Sequence, residues 1–251
     1  MRRQVELFLC AVQFLTRIPM PVLSRFEPDW VTRSARYFPL VGQLVGLICA
    51  TALLGATQLW NGWIAALLAV GVGLMATGCF HEDGLADSFD GLGGGQTRER
   101  RLDIMKDSRV GTYGVAALLV TLALKVAVLA TMPPLLAAIG LFAAHGLGRG
   151  AAVVAMRLTL YAVEGEATKW KPVPQGVTRG EMSAAVLLAA WPVALLPWPS
   201  AGLGLALGAA FAGLLLVAAK RLIGGHTGDV LGGVEQLFEV GFLLGLAAVL
   251  R

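Results

Sequence analysis

Five aspartates in two nearby groups are the residues of this chain best suited to chemistry. Asp83, Asp87 and Asp90 are spaced i, i+4 and i+7 in "HEDGLADSFDG", directly after the apolar run "WIAALLAVGVGLMATGCF", and Asp103 and Asp107 repeat the i, i+4 spacing in "LDIMKDSRVGTYG". On a helix such carboxylates share one stripe and repel one another unless a cation lies among them. Mg²⁺ binds one or two carboxylates together with waters and substrate phosphates. The five aspartates are therefore the predicted Mg²⁺ ligands, and the alternative is a solvated acidic loop whose aspartates cap helices.

Groups between and beside these aspartates could bind phosphate. The run "GLGGG" at 91–95, which includes Gly94, permits a tight turn and lets backbone N–H groups approach an anion. Lys106 and Arg109 are positively charged, and a guanidinium can bind two phosphate oxygens at once. Together with metal-binding carboxylates, these groups predict phosphoryl transfer. One carboxylate could instead accept the proton of an attacking hydroxyl, so the predicted catalytic residues are Asp83, Asp87, Asp90 and Asp107.

The elements that must position these residues are membrane helices. Of the 251 residues, 57% are hydrophobic and 14% are charged, whereas soluble domains carry about 25% charged residues. Several apolar runs approach the ~20 residues needed to cross the hydrocarbon core. We predict an all-α, polytopic integral membrane bundle of about seven transmembrane helices, forming one catalytic domain over 1–251. The candidate spans are 38–60, 63–80, 112–132, 134–157, 183–198, 202–222 and 236–250.

The distribution of basic residues predicts the orientation of the chain in the membrane. Short linkers near 61–62, 133–134 and 199–200 carry no charge, whereas the long linkers hold nearly all lysines and arginines. Because positive residues stay on the cytoplasmic side, the N-terminus is predicted to be cytoplasmic and the aspartates to face the cytoplasm. The net charge of +4 fits contact with anionic lipid headgroups and suggests no nucleic-acid partner.

Long ordered blocks of the sequence resemble one enzyme family. They are "FLTRIPMP" at 14–21, "RYFPLVGQLVG" at 36–46, "FHEDGLADSFDGLGGG" at 80–95, "RLDIMKDSRVGTYG" at 101–114 and "IGGHTGDVLGGVEQLFEVGFLL" at 223–244. This pattern is similar to that of the cobalamin synthase family, also called cobalamin 5′-phosphate synthase or adenosylcobinamide-GDP ribazoletransferase.

The resemblance implies a Mg²⁺-dependent enzyme of the bacterial inner membrane. Adenosylcobinamide-GDP would react with α-ribazole, or its 5′-phosphate, to give adenosylcobalamin, or its 5′-phosphate, and GMP. A ribose hydroxyl would attack the cobinamide-side phosphorus. Contacts with other enzymes of cobalamin synthesis and a homo-oligomer are left open.

The resemblance also suggests roles for residues outside the aspartate groups. Asp229, in the Gly-rich block "GGHTGDVLGG" at 224–233, is expected to contact metal, ribose or guanine, because a break in a membrane helix usually lines a cavity. Arg149 is expected to contact a phosphate or a corrin amide, since an intramembrane charge usually faces a cavity. In "YAVEGEATKW" at 161–170, Val163 replaces an arginine common in the family, which puts an anion-binding role of that segment in doubt.

Four further ionisable residues have open roles. His81 could be a base or an interface residue, and Lys125 has no acidic residue nearby in sequence. Glu235 and Glu239 are expected to pair with the basic residues that precede the Gly-rich block, Lys220 and Arg221, with a role in the site as the alternative.

Two other functions remain as alternatives. "DSFDG" and "DIMKD" echo the metal-binding elements of CDP-alcohol phosphotransferases, which would predict a phospholipid synthase that releases CMP, although the Ala-Arg linker of that family is absent. A cation-coupled transporter would bind its ion near the bilayer midplane, whereas the acidic groups lie at span ends and no inverted repeat is apparent.

Overall fold

The computed structural model describes residues 2–21, 27, 29–163 and 176–249, so most of the segment "YAVEGEATKW" lies outside it. The described chain is helical, apart from one isolated bridge between Tyr161 and His226. In chain order the helices are α1 (Arg2–Leu15), α2 (Trp30–Ser34), α3 (Phe38–Ala56), α4 (Gly62–Thr77), α5 (Phe80–Gly94), α6 (Arg98–Met105), α7 (Thr112–Thr131), α8 (Pro134–Leu158), α9 (Arg179–Ala190), α10 (Trp198–Ile223) and α11 (Gly228–Ala248). Short 3₁₀ turns follow α2 and α9, at Ala35–Tyr37 and Trp191–Leu195.

The predicted all-helical, multi-pass class is confirmed, but the number of spans differs from seven. In the described part of the chain, five segments are long and apolar enough to cross a membrane: Trp30–Ala56, α7, α8, α10 and α11. Counting α4 and α5 as one bent span gives six. The predicted span 183–198 is not among them, because α9 ends at Ala190 and Pro192 lies in the 3₁₀ turn that follows. Proline has no N–H to continue the helical hydrogen bonds.

Glycines allow the long helices to pack with their backbones in contact. A Cβ built on Gly46 of α3 would lie 2.8 Å from the Leu141 carbonyl oxygen of α8, and one on Gly245 of α11 would lie 2.5 Å from the Cα of Gly204 in α10. Small residues at such interfaces are typical of membrane helices. Both pairs are antiparallel, since Gly42, earlier in α3, meets His145, later in α8, and Gly241, earlier in α11, meets Gly208, later in α10.

Several helix ends meet on one side of the bundle, which we call the loop side. The backbone N–H of His226 donates to the Leu160 carbonyl at 2.9 Å, which joins the segment after α8 to the link between α10 and α11. Arg33 and Arg36 bind Glu181 at 3.1 and 2.8 Å, which places the start of α9 beside α2. The ends of α8 and α10 and the starts of α9 and α11 therefore lie on the loop side.

The predicted helix over the first aspartate group exists, but it does not continue the preceding span. Gly78 and Cys79 both have positive φ, at 67° and 57°, and the chain turns by 90° between α4 and α5. A left-handed glycine is a common way to end a helix. As a result α5 crosses α11 instead of extending α4 out of the bundle.

Candidate active site

The acidic helix α5 lies in backbone contact with the start of α11. A Cβ built on Gly84 would lie 2.7 Å from the Asp229 carbonyl oxygen, and one on Gly232 would lie 3.1 Å from the His81 carbonyl oxygen. Only glycine permits this approach, because a side chain at Gly84 would meet backbone atoms that cannot rotate away. Gly84 and Gly232 are 148 residues apart in the sequence, and the fold brings them together.

This contact places Asp229 beside the part of α5 that carries Asp83 and Asp87. Asp229, in the first turn of α11, packs on Gly84, which follows Asp83 directly and precedes Asp87 by one turn. Asp83 is exposed, and Asp87 and Asp229 are half-buried. Thr227 caps α11, since its hydroxyl accepts from the Val230 N–H at 3.2 Å, and lies 3.3 Å from a carboxylate oxygen of Asp229. The Gly-rich block and the first aspartate group are thus adjacent in the fold.

Asp90 has a different environment from the other two aspartates of its stripe. It is buried, and its two oxygens accept hydrogen bonds from the backbone N–H groups of Gly111 at 2.7 Å and Gly114 at 2.9 Å. The first N–H groups of a helix have no hydrogen-bond acceptor within the helix. At the start of α7 the Asp90 carboxylate is that acceptor. Asp90 therefore joins α5 to α7, as in the interpretation of these aspartates as helix caps.

The second aspartate group lies on and after α6, at the surface. Asp103 and Lys106 are exposed. Arg109 binds Asp107 through its side chain, with Nε 3.0 Å from Oδ1 and Nη2 2.6 Å from Oδ2, and through its backbone N–H, which donates to Oδ1 at 3.1 Å. These bonds hold the pKa of Asp107 at about 2, below its ordinary value of 3.8. The Arg109 side chain is 87% exposed, so the guanidinium is accessible to a phosphate from solution.

Two contacts that sequence reasoning missed hold α6 in place. Arg98 donates from Nε to the Ile223 carbonyl at 3.0 Å and from Nη2 to the Ala162 carbonyl at 2.6 Å. At the end of α5, a Cβ on Gly95 would lie 2.5 Å from the Arg101 side chain, while Gly94 is exposed. The glycines at 91–95 thus let α6 fold back closely on α5. Nothing in the local sequence marks Arg98, since both its acceptors lie more than 60 residues away.

A second set of polar side chains, all of them ionisable except Gln236, is buried or half-buried within the bundle, and we call it the ion-pair cluster. It comprises His81, Glu82, Lys125, His145, Arg149, Glu235, Gln236 and Glu239. Lys125 Nζ lies 2.6 Å from both Gln236 Oε1 and Glu239 Oε2. His145 Nδ1 lies 2.8 Å from Glu239 Oε1, and Arg149 Nη1 lies 2.7 Å from Glu235 Oε1. The expected pairing of the two glutamates with Lys220 and Arg221 is wrong, because their partners come from α7 and α8.

The ion-pair cluster also gives Arg149 a different setting from the predicted one. Its side chain is 2% exposed, and its guanidinium faces Glu235 and Glu239. The cavity beside it measures about 20 Å³, room for about one water molecule. This space is smaller than a diphosphate. Arg149 therefore acts in this structure as a counter-ion for buried carboxylates.

The described residues contain one set of three side chains whose ligand atoms all lie within 4.8 Å of one another, namely His145, Glu235 and Glu239. A divalent ion there would lie beside Lys125 and Arg149, whose positive charges already neutralise the two glutamates. We therefore interpret this set as structural. The predicted aspartates do not form such a set of three, so an ion bound by them would need water and phosphate oxygens, which is the usual coordination of Mg²⁺.

The ion-pair cluster is connected to the acidic helix. Gln236 Nε2 donates to Glu82 Oε1 at 2.8 Å, and Glu82 immediately precedes Asp83. Because Glu82 points into the bundle at this hydrogen bond, the rotation of α5 about its axis is fixed. Asp83 is then left on the exposed side of the helix. The buried network thus positions the residues that are available for chemistry.

The fold and the site define a multi-pass helical membrane protein with a carboxylate-rich face, on its loop side, formed by α5 and the start of α11. Comparison with known families adds the particular one. The family model described as cobalamin-5-phosphate synthase matches residues 7–247, and the chain belongs to this family. The match covers all the elements that build the site.

Relatives with an assigned enzyme name resemble the chain over its whole length. Proteins called adenosylcobinamide-GDP ribazoletransferase from Vibrio cholerae serotype O1 and Leptothrix cholodnii are each 40% identical to it, over 100% and 98% of this chain and 97% and 96% of their own. One from Shewanella sp. strain W3-18-1 is 40% identical over 95% of this chain and 92% of its own. No solved structure matches the chain significantly. Neither the phospholipid synthase nor the transporter alternative is favoured by these matches.

Proposed function

We propose that the chain is an adenosylcobinamide-GDP ribazoletransferase. It joins adenosylcobinamide-GDP to α-ribazole, or to α-ribazole 5′-phosphate, and releases GMP together with adenosylcobalamin or its 5′-phosphate. The observation that carries this proposal is the 40% identity over the full chain to proteins with that name. The protein would reside in the bacterial inner membrane with the loop side facing the cytoplasm, which agrees with the concentration of basic residues in the long linkers.

The carboxylates of α5 and α11 fit a Mg²⁺ ion that is shared with the substrate. Asp83 and Asp87 on α5 and Asp229 at the start of α11 offer hard oxygen ligands on two segments in backbone contact, and none of the three is buried. Asp103 and Asp107 on the neighbouring α6 segment are further candidates. Bound Mg²⁺ would supply charge neutralisation of the diphosphate. Asp90 fits less well, because both its oxygens already accept backbone hydrogen bonds.

The remaining groups would bind the phosphates and move one proton. Arg109 would exchange its bond to Asp107 for the diphosphate oxygens, with Lys106 beside it. The ribose hydroxyl oxygen forms a bond to the cobinamide-side phosphorus, and the bond from that phosphorus to the bridging oxygen breaks. The bridging oxygen leaves with GMP, and the hydroxyl proton passes to Asp83 or Asp87.

The test is GMP release by purified protein in liposomes supplied with Mg²⁺, adenosylcobinamide-GDP and α-ribazole. We expect GMP to form, EDTA to abolish its release, and Asp83→Asn or Asp87→Asn to reduce the rate at least a hundredfold in protein that still inserts. Asp29→Asn is the matched control, since Asp29 is an exposed carboxylate that binds Arg33 away from the site. Full activity of both the Asp83 and Asp87 variants would exclude these residues from the reaction.

A further inference from the structure

A groove on the outside of the bundle, separate from the carboxylate face, is lined by α8, α9, α10 and α11. Its lining is apolar, and its volume is about 390 Å³, within the range of about 300–1,000 Å³ typical of ligand pockets. Glycines at Gly150 and Gly213 contribute to its width, and a Cβ built on Gly213 would meet no atom within 4 Å. A narrow apolar body could therefore lie in it.

The groove has the length of one membrane leaflet. On α8 it extends from Leu147 to Leu158, which is about 16 Å of helix at ~1.5 Å per residue. Half of a ~30 Å hydrocarbon core is about 15 Å. Leu158 is the last residue of α8, so the groove reaches from the bundle interior to the loop side.

Three exposed basic side chains lie at the loop-side end of the groove: Arg157 on α8, Arg179 on α9 and Lys220 on α10. They are three, seven and four residues away from groove-lining residues of their own helices, namely Val154, Val186 and Leu216. Such spacings place residues on the same helix face.

These three basic residues are available to an anion. All three are exposed, and their side chains form no hydrogen bond or ion pair with any residue that the structure describes. The acidic residue nearest to Arg179 in the described sequence, Glu181, is 2% exposed and is already bound by Arg33 and Arg36. Positive charge at the headgroup level of an apolar groove matches the chemistry of an anionic lipid.

We propose that the groove binds one acyl chain of an anionic phospholipid from the loop-side leaflet, with the lipid phosphate at Arg157, Arg179 and Lys220. The apolar walls contact the hydrocarbon chain. Transfer of that chain from detergent or bulk lipid into the groove gives little selectivity among lipids, because both surroundings are apolar. The three positive charges supply the preference for an anionic headgroup, about fivefold in affinity for each residue.

The experiment measures lipid retained by the full-length protein in native mass spectrometry, after incubation with dioleoyl phosphatidylglycerol or dioleoyl phosphatidylcholine. Gly213→Leu fills the groove, and Gly202→Leu is its matched control, because it lies on the same helix outside the groove and also has open space around its Cβ. A triple variant replaces Arg157, Arg179 and Lys220 with glutamine.

We expect one phosphatidylglycerol per chain in the wild type and in Gly202→Leu, at least tenfold weaker retention in Gly213→Leu, and about hundredfold weaker retention in the triple variant. Equal retention of phosphatidylcholine, or undiminished phosphatidylglycerol in Gly213→Leu, would overturn the proposal. So would a changed oligomeric mass of Gly213→Leu with unchanged lipid, since the occupant would then be a second copy of the chain. If Gly213→Leu does not elute as one species, the triple variant by itself decides the test, and unchanged retention of phosphatidylglycerol in it would overturn the proposal.

Discussion

Replacing Gly84 with alanine should lower activity without removing any chemical group from the site. The added Cβ would lie 2.7 Å from the Asp229 carbonyl oxygen, 3.0 Å from its Cα and 3.3 Å from its carbonyl carbon. These are backbone atoms, so α5 and α11 must move apart by about 0.7 Å to restore an ordinary contact of 3.4 Å. That movement separates Asp83 and Asp87 from Asp229. A misplacement of ~1 Å can cost on the order of a hundredfold in rate, so we expect a loss of ten- to a hundredfold.

The assay is GMP release in liposomes, with thermal unfolding in detergent measured in parallel. Gly71→Ala is the matched control, because Gly71 lies within α4 and a Cβ there would meet nothing within 4 Å. We expect that variant to retain full activity and to gain up to about 1 kcal/mol from helix propensity. For Gly84→Ala, the same gain opposes an overpacking cost of about 1–3 kcal/mol, so the protein should still fold. Wild-type activity of Gly84→Ala would show that the α5–α11 contact does not set the geometry of the reaction.

The other predictions concern stability and titration. Lys125→Met removes the cation 2.6 Å from Glu239 and should lower the free energy of unfolding in detergent by about 3 kcal/mol. The double variant Lys125→Met/Glu239→Gln should lose less stability than the sum of the two single variants, and strict additivity would refute the pairing. His226 is buried, and its pKa is lowered to about 4 from 6.5. Between these two pH values the unfolded chain binds a proton that the folded chain does not, so stability on the order of 3 kcal/mol should be present above pH 6.5 and be lost as the pH falls towards 4. His226→Asn should abolish this dependence of stability on pH. In Arg109→Gln the pKa of Asp107 should rise from about 2 towards 3.8, as measured by infrared titration of the carboxyl group. In the wild type, the stability contributed by the Arg109–Asp107 pair is present above about pH 4 and is lost as the pH falls to 2. An unchanged titration of Asp107 in the variant would contradict the bidentate pair.

The parts of the site that depend on local spacing could be predicted from the sequence. The i, i+4, i+7 pattern of α5 correctly indicates a helix with aspartates along one stripe. The glycines around Asp229 correctly mark a break between two helices, because α10 ends at Ile223 and α11 begins at Gly228. In both cases neighbouring residues determine the backbone conformation.

The parts that depend on partners far along the chain could not be predicted. A stripe of aspartates does not reveal which member meets another helix, and Asp90 is distinguished from Asp87 only because the start of α7 packs over it. The pairing of Glu239 was predicted with residues 18 and 19 positions away, whereas its partner Lys125 is 114 positions away. Proximity in sequence is a poor guide to ion pairs when helices cross a membrane and return.

The same separation between Lys125 and Glu239 bears on how the protein is made. A ribosome that adds ~5–20 residues per second needs roughly 6–23 s to progress from one to the other. During that interval α7 carries an ammonium group whose final counter-ion has not yet been synthesised, and of the carboxylates in the cluster only Glu82 has left the ribosome. Only the arrival of α11 supplies Glu235 and Glu239, so a polypeptide truncated before residue 235 would carry a membrane helix whose lysine lacks the carboxylate that binds it in the complete protein.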